Sequence, residues 1–368
     1  MKVVHITPTY FDNASVIGGG ERYPTELATW MAKQVPTTLV SFSNQRRSHT
    51  SGNLRVEVYP ANHLLQGSKL NAFNGRSLLP ILQADIVHIH HLNALTSAIA
   101  AVLADSLGKR VFITDYGGGS GLGWKLNEVL RVVPRYDGAI AYSEFGRKML
   151  PDLLQSRTTL AKGGIDGDRF SPDSSVSREN TILYVGRILP HKGINYLVDA
   201  FRLLNRADYK LRIVGRVYHE AFYQDLCQQA QGLAVEFIHS ADDDQLLQYY
   251  RSARVTVLPS VHTTCYGMYT PVPELMGFTL LESQACGTPV ICTDAGAMPE
   301  FVDPDRTGVV VAQNSGAAIA LALEALLDLS PSEMETMQQR CREWVRSLHW
   351  RVVVQRYLEA YQEVSHSR

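Results

Sequence analysis

Two carboxylates, Glu274 and Glu282, are separated by seven residues in the stretch 271–290, PVPELMGFTLLESQACGTPV. Gly277, Phe278 and Thr279 lie between them. An apolar, helix-competent run follows over 280–286, then Gly287, Pro289 and the β-branched Val290 and Ile291. The pattern predicts a loop, a helix start, a helix, a glycine stop and a strand. Glu274 then falls in the loop and Glu282 in the first turn of the helix. The N–H groups at such a start form an anion site. One short segment therefore offers a phosphate cradle with a hydrogen-bond acceptor on each side, which suits a hydroxyl-rich, phosphate-bearing ligand such as a nucleotide sugar. The competing reading is that both glutamates merely complement a helix dipole.

Two cations follow a similar logic. Gly186-Arg187 closes a strand expected over 182–185, and Lys192-Gly193 opens a helix expected over 193–204. Either they stabilise the growing charge of a departing nucleoside diphosphate, or they sit on a solvated helix rim. Arg binds two phosphate oxygens in a plane and Lys acts as a point charge. Near the N-terminus, Gly18, Gly19 and Gly20 end a loop between the strand 3–7 and a helix over 21–33. This is not GxGxxG, so it does not signal a dinucleotide site. His88, His90 and His91 end a buried strand over 86–89. A strand sends His91 to the face opposite His88 and His90, and no Cys or carboxylate stands at ligand spacing, so they read as site-lining or structural. Asp115 and Tyr116 lie just past the strand 110–114, where α/β folds place their sites.

These motifs resemble those of the retaining GT-B glycosyltransferases, family four in particular. The likeness rests on Glu274, Gly277, Phe278, Glu282 and the following ACGTPVI, on GGGER at 18–22, on DIVHIHH at 85–91, on GGID at 163–166 through FSP at 170–172, on YVGR at 184–187 and on HKG at 191–193. It implies two facing doubly wound Rossmann-like α/β domains with a deep interdomain cleft. By resemblance, Arg187, Lys192 and Glu274 are catalytic. Glu282 holds the donor ribose, Glu274 the sugar hydroxyls, and Gly277 and Phe278 lend backbone N–H groups. Gly19, Gly20, Gly186, Thr279, Asp115, Tyr116 and His90 complete the donor side. Many members carry a donor-contacting histidine where this chain has Thr114, Asp115 and Tyr116, so that residue does not transfer. Asp166 and Asp168 lie in an expected linker and Asp242–Asp244 begin a helix, so no metal site is expected. The expected reaction moves a hexose from a UDP- or GDP-sugar to a hydroxyl acceptor with retention and without a resident cofactor. An epimerase of the same fold and a non-catalytic sugar-binding module are the alternatives. The phosphate-directed cations speak against the second.

The elements that must hold these residues are readable in outline. The 368 residues, 45% hydrophobic and 19% charged, suffice for two domains. Strands over 3–7, 39–42, 54–58, 86–89, 110–114 and 138–142, with helices over 94–107 and 144–154, form a first series. The Gly/Ser/Asp/Pro-rich 163–180 reads as a linker. A second series begins at 181 and alternates through 258. The expected domains are 1–172 for the acceptor, 173–348 for the nucleotide sugar, and a final amphipathic helix, 349–368, returning to the first. The apolar-basic segment 60–83 reads as an amphipathic helix or, more sharply, as an acceptor-side or membrane-touching element. Net charge is −1, with no general pull toward nucleic acid. The halves differ: 18 Lys and Arg against 13 Asp and Glu give +5 over 1–172, and 17 against 23 give −6 beyond. Five cysteines without CxxC, no long apolar run and no leader-like start fit the cytoplasm, with peripheral contact at the inner membrane face.

Overall fold

The computed structural model describes residues 1–10, 19–61, 63–64 and 68–363. The chain forms two compact units, Met1–Gly164 with Trp350–Arg368, and Ile165–His349. No helix among the described residues is long and apolar enough to cross a membrane.

The first unit contains β1 (Val3–Tyr10), α1 (Gly19–Met31), β2 (Thr37–Ser43), β3 (Arg47–Ser51), β4 (Leu54–Pro60), β5 (His63–Leu64), β6 (Ala72–Phe73), β7 (Ile86–His90), α2 (Leu95–Ser106), β8 (Arg110–Thr114), α3 (Gly121–Val129), β9 (Gly138–Ala141), α4 (Glu144–Lys148), α5 (Asp152–Gln155) and β10 (Thr158–Leu160). Among the described residues its main sheet runs β10-β9-β8-β7-β1-β2-β4-β3. Only the edge strand β3 is antiparallel to its neighbour. Strand alternation sorts the side chains. Val4, Ile6, Val87, Ile89, Val111 and Ile113 join one core with the alanines of α2. The register pairs His5 with His88, and His90 with Thr114, and so puts these polar residues on the other face.

The second unit contains β11 (Thr181–Val185), α6 (Ile194–Leu204), β12 (Lys210–Val214), α7 (Glu220–Gln229), β13 (Val235–Ile238), α8 (Asp243–Ser252), β14 (Val255–Leu258), α9 (Phe278–Ala285), β15 (Val290–Thr293), β16 (Gly308–Val311), α10 (Gly316–Leu327) and α11 (Pro331–Arg346). Its parallel sheet runs β13-β12-β11-β14-β15-β16, the doubly wound order whose direction of winding reverses between β11 and β14. The chain then returns to the first unit as α12 (Trp350–Glu363), with Trp350, Val353, Val354, Tyr357 and Tyr361 buried.

Two expected elements differ. The helix over 144–154 is broken into α4 and α5 at Pro151, which lacks an N–H and disfavours helix before it. The segment 60–83 is no amphipathic α-helix. Its described residues form the short β5–β6 pair and a 3-10 helix, Gly75–Gln83, that contains Pro80 and is capped by Asn74. Residues 62 and 65–67 lie outside the described part.

Candidate functional site

The segments that follow β11 and β14, together with helix α9, carry most of the residues singled out above. Gly186 follows β11. A Cβ there would lie 2.8 Å from the Tyr184 hydroxyl, which donates to Arg187 O at 3.0 Å. The loop after β12 presses on the same spot. A Cβ on Gly215 would come within 1.8 Å of Gly186 O, and Ile188 N donates to Arg216 O at 2.8 Å. These contacts hold Arg187 exposed at the rim, its guanidinium 5.8 Å from the Tyr218 ring.

Lys192 sits deeper. It ends the 3-10 turn Pro190–Lys192, which Gly193 closes in the left-handed region at φ +64°. A side chain at 193 would meet Pro259 O at 2.0 Å, so the turn packs directly on the end of β14. Lys192 is 7% exposed. Its ammonium pairs with the Glu274 carboxylate and donates to Pro273 O at 3.4 Å. Ser260 Oγ donates to the same carboxylate at 3.3 Å. Glu274 is held from behind as well, since Ala297 N donates to its carbonyl at 3.0 Å. Two residues read as serving different parts of a ligand are therefore bonded to each other. Lys192 can meet an anion only in exchange for, or alongside, Glu274.

Helix α9 opens at Gly277, which adopts φ +85° and supplies no side-chain cap. The Thr279 hydroxyl donates to Val185 O at 3.0 Å, which ties the helix start to the end of β11 and uses that hydroxyl structurally. Glu282 is not in the first turn. The helix begins at Phe278, so Glu282 is its fifth residue, 4% exposed, and accepts from the Tyr250 hydroxyl at 2.7 Å. That position removes it from a plain dipole role, which fades beyond the first turn. His191 is a neighbour that sequence reasoning did not assign. Burial, then the Lys192 charge, push its pKa down to about 4 against the pull of Glu274, leaving a neutral imidazole beside the ion pair. Its place next to Lys192 was the available signal.

The first unit gathers a second group. Gly19 and Gly20 begin α1, and the loop residues 11–18 lie outside the described part. The Asp115 carboxylate accepts from Leu92 N at 2.8 Å and Gly117 N at 3.3 Å. Burial raises its pKa against those amides. His90 is fully buried. Its Nδ1 lies 2.7 Å from the Tyr116 hydroxyl and its Nε2 3.0 Å from His5 Nδ1. Both ring nitrogens are thus engaged within the fold, one by Tyr116 and one by His5. His88 is likewise spent on Thr114 and Tyr361, at 3.0 and 2.8 Å. Asp166, Asp168 and His349 bring ligand-type atoms within 4.8 Å of one another, but Asp166 already accepts from Asp168 N and Arg169 N at 3.1 Å, closing a local turn.

Comparison with known proteins follows the same division. The model for glycosyltransferase family 4 matches residues 17–169, and that for glycosyl transferases group 1 matches residues 168–344. An uncharacterized glycosyltransferase of Methanocaldococcus jannaschii is 34% identical over 40% of this chain and 36% of its own length. The GDP-mannose-dependent alpha-(1-6)-phosphatidylinositol monomannoside mannosyltransferase of Mycobacterium tuberculosis is 28% identical over 81% of this chain and 80% of its own. The chain spans 36%, 60% and 48% of the length of the first three curated relatives it matches. Among solved structures, sucrose-phosphate synthase from Thermosynechococcus elongatus superposes with a TM-score of 0.76 at 19% identity, covering 100% of both chains. Two Rossmann-like units of the GT-B fold, with these two family models matching residues 17–344 between them, make this chain a member of the family 4 glycosyltransferases.

Proposed function

We propose that the chain transfers a hexose from a nucleoside diphosphate sugar to a hydroxyl acceptor, with retention and without a metal. The observation that carries this reading is the Lys192–Glu274 pair next to the uncapped start of α9 at the winding reversal of the second sheet. Arrival of a diphosphate draws Lys192 toward phosphate oxygen and frees Glu274 to accept from sugar hydroxyls. Arg187, exposed at the rim, adds the second cation, and Glu282, oriented by Tyr250, takes the ribose hydroxyls. The bond from the anomeric carbon to phosphate oxygen breaks, the bond to the acceptor oxygen forms on the same face, and the acceptor proton passes to the departing phosphate. Such a step needs strong stabilisation of the leaving group and little else from side chains.

The acceptor is assigned to the first unit. Its excess of basic residues, with Leu79 and Leu82 each 57% exposed on Gly75–Gln83, suits an anionic or lipid-linked acceptor at a membrane surface. The test is an assay of UDP- and GDP-hexoses against soluble and lipid-linked acceptors in excess chelator. Proton NMR of the first product should show that an α-linked donor gives an α-linked product. A β-linked product overturns retention, and loss of activity restored by manganese overturns metal independence.

A further inference from the structure

The segment between the end of β14 and Glu274 is a hairpin rather than a simple loop. Thr263 bridges Tyr269, and Thr264 N donates to Met268 O at 2.9 Å. Its base is fastened by His262. The imidazole Nδ1 lies 2.9 Å from Thr270 O, and Gly296 N donates to Nε2 at 3.3 Å. A carbonyl can only accept and an amide can only donate, so a single neutral tautomer with the proton on Nδ1 satisfies both. The backbone of His262 makes two further ties. Its N donates to Gln313 Oε1 at 2.8 Å, and its carbonyl accepts from Thr270 N at 2.7 Å. Gln313 in turn donates to Asp294 Oδ1 at 3.1 Å from its N. His262 thereby joins the loops that follow β14, β15 and β16.

Both ring contacts end on the segments that grip Glu274. Thr270 lies four residues before it on the same strand of chain. Gly296, at φ +61°, lies so close that a Cβ there would be 2.2 Å from Glu274 O, and the next residue, Ala297, donates to that oxygen at 3.0 Å. We propose that His262 is a positioning residue for Glu274: its ring sets the distance between the hairpin base and the Gly296 turn, and so the place of the Glu274 carboxylate relative to Lys192. The inference rests on the proposed reading only where it assigns Glu274 to sugar hydroxyls. The contact itself does not depend on it.

His262→Phe keeps a flat ring against Tyr269, whose own ring stacks at 5.8 Å, and removes both ring hydrogen bonds. His262→Gln keeps a donor and an acceptor. Hydrogen exchange of the unliganded protein should be faster in His262→Phe over 270–277, unchanged over 194–204, and near wild type in His262→Gln. Calorimetry with a nucleoside diphosphate and its hexose ester should show the advantage of the sugar-bearing ligand falling about fivefold to tenfold in His262→Phe, the scale of one lost hydrogen bond, with the nucleoside diphosphate bound as before. Unchanged exchange over 270–277, or intact sugar discrimination, overturns the assignment. If the wild type binds no nucleotide sugar, the functional reading fails, and exchange alone decides whether His262 positions Glu274.

Discussion

Lys192 and Glu274 form an ion pair with side chains only 9% and 16% exposed. Breaking such a pair from one side costs more than removing both, because the remaining charge stays poorly solvated. Lys192→Met should therefore destabilise the protein by about 3 kcal/mol, the lower end of that range. Adding Glu274→Gln should recover part of the loss. Urea unfolding of the two single variants and the double variant measures the coupling, and additive losses would mean that the pair is open in solution. The types and approximate neighbourhood of these residues were legible in the sequence. Their contact was not, because it spans 82 residues and no local spacing encodes it. Glu282 shows a subtler limit. Gly277 turns left-handed and Thr279 bonds Val185 O, so α9 starts two residues earlier than its apolar run suggests. That shift moves Glu282 from the first turn into the buried second.

At the scale of elements, Arg178 ends α9. Its guanidinium donates to Cys286 O at 2.9 Å and Gly287 O at 3.1 Å, the carbonyls that a helix end leaves without partners, and to Ala253 O at 2.9 Å after α8. It also bonds the Thr288 hydroxyl. Burial lowers its pKa, yet an arginine stays charged, and its charge suits a helix C-terminus. Arg178→Met should cost several kcal/mol, at about 1–3 for each buried acceptor left dry. Arg178→Lys should recover little, since one ammonium cannot span carbonyls from two elements. Urea unfolding midpoints decide this, and an unchanged midpoint in Arg178→Met would show that water replaces the fork. Arg178 lay in a stretch read as linker, so nothing local marked it. Elements were legible where apolar runs are buried, as in β8, β12 and β14. β3 was not, since all five of its residues are exposed and no alternation exists to read. β16, α10 and α11 fall outside the stretches named from sequence, although Ser330, Pro331 and Glu333 spell a helix start with a capping box.

At the scale of the whole molecule, buried histidines tie folding to pH, and unequally between the units. In the first, burial pushes the pKa of His5 down to about 3 and that of His91 to about 4. Burial, with the neighbouring rings, pushes His88 and His90 far below the usual range. Their rings form one group, with centroids 4.9–5.3 Å apart for His5, His88 and His90, closed by Tyr116, Tyr361 and Thr114. In the second unit, burial lowers the pKa of His191 to about 4. A histidine kept neutral in the fold takes up a proton on unfolding once the pH drops below its ordinary value of about 6.5. Stability is therefore full above that pH and falls as pH is lowered toward the folded value, by about 1.4 kcal/mol per pH unit for each such group. Between about 6.5 and 4.5 the unfolded chain takes up protons mainly on histidine, while Asp115, whose pKa burial raises, gains its proton in the fold as pH falls and offsets part of the loss. Glu57, which burial pushes up but Arg46, Arg55 and Ser48 hold below the usual range, adds its loss only further down. The first unit should thus open well before the second on acidification. Hydrogen exchange at pH 5 should show loss of protection over β1, β7 and α12 while β11 and β14 stay protected. His5→Gln should make the fall in unfolding midpoint between pH 6.5 and 4.5 shallower. A midpoint that stays flat over that range, or a slope that His5→Gln leaves unchanged, would mean that the cluster accepts protons without unfolding.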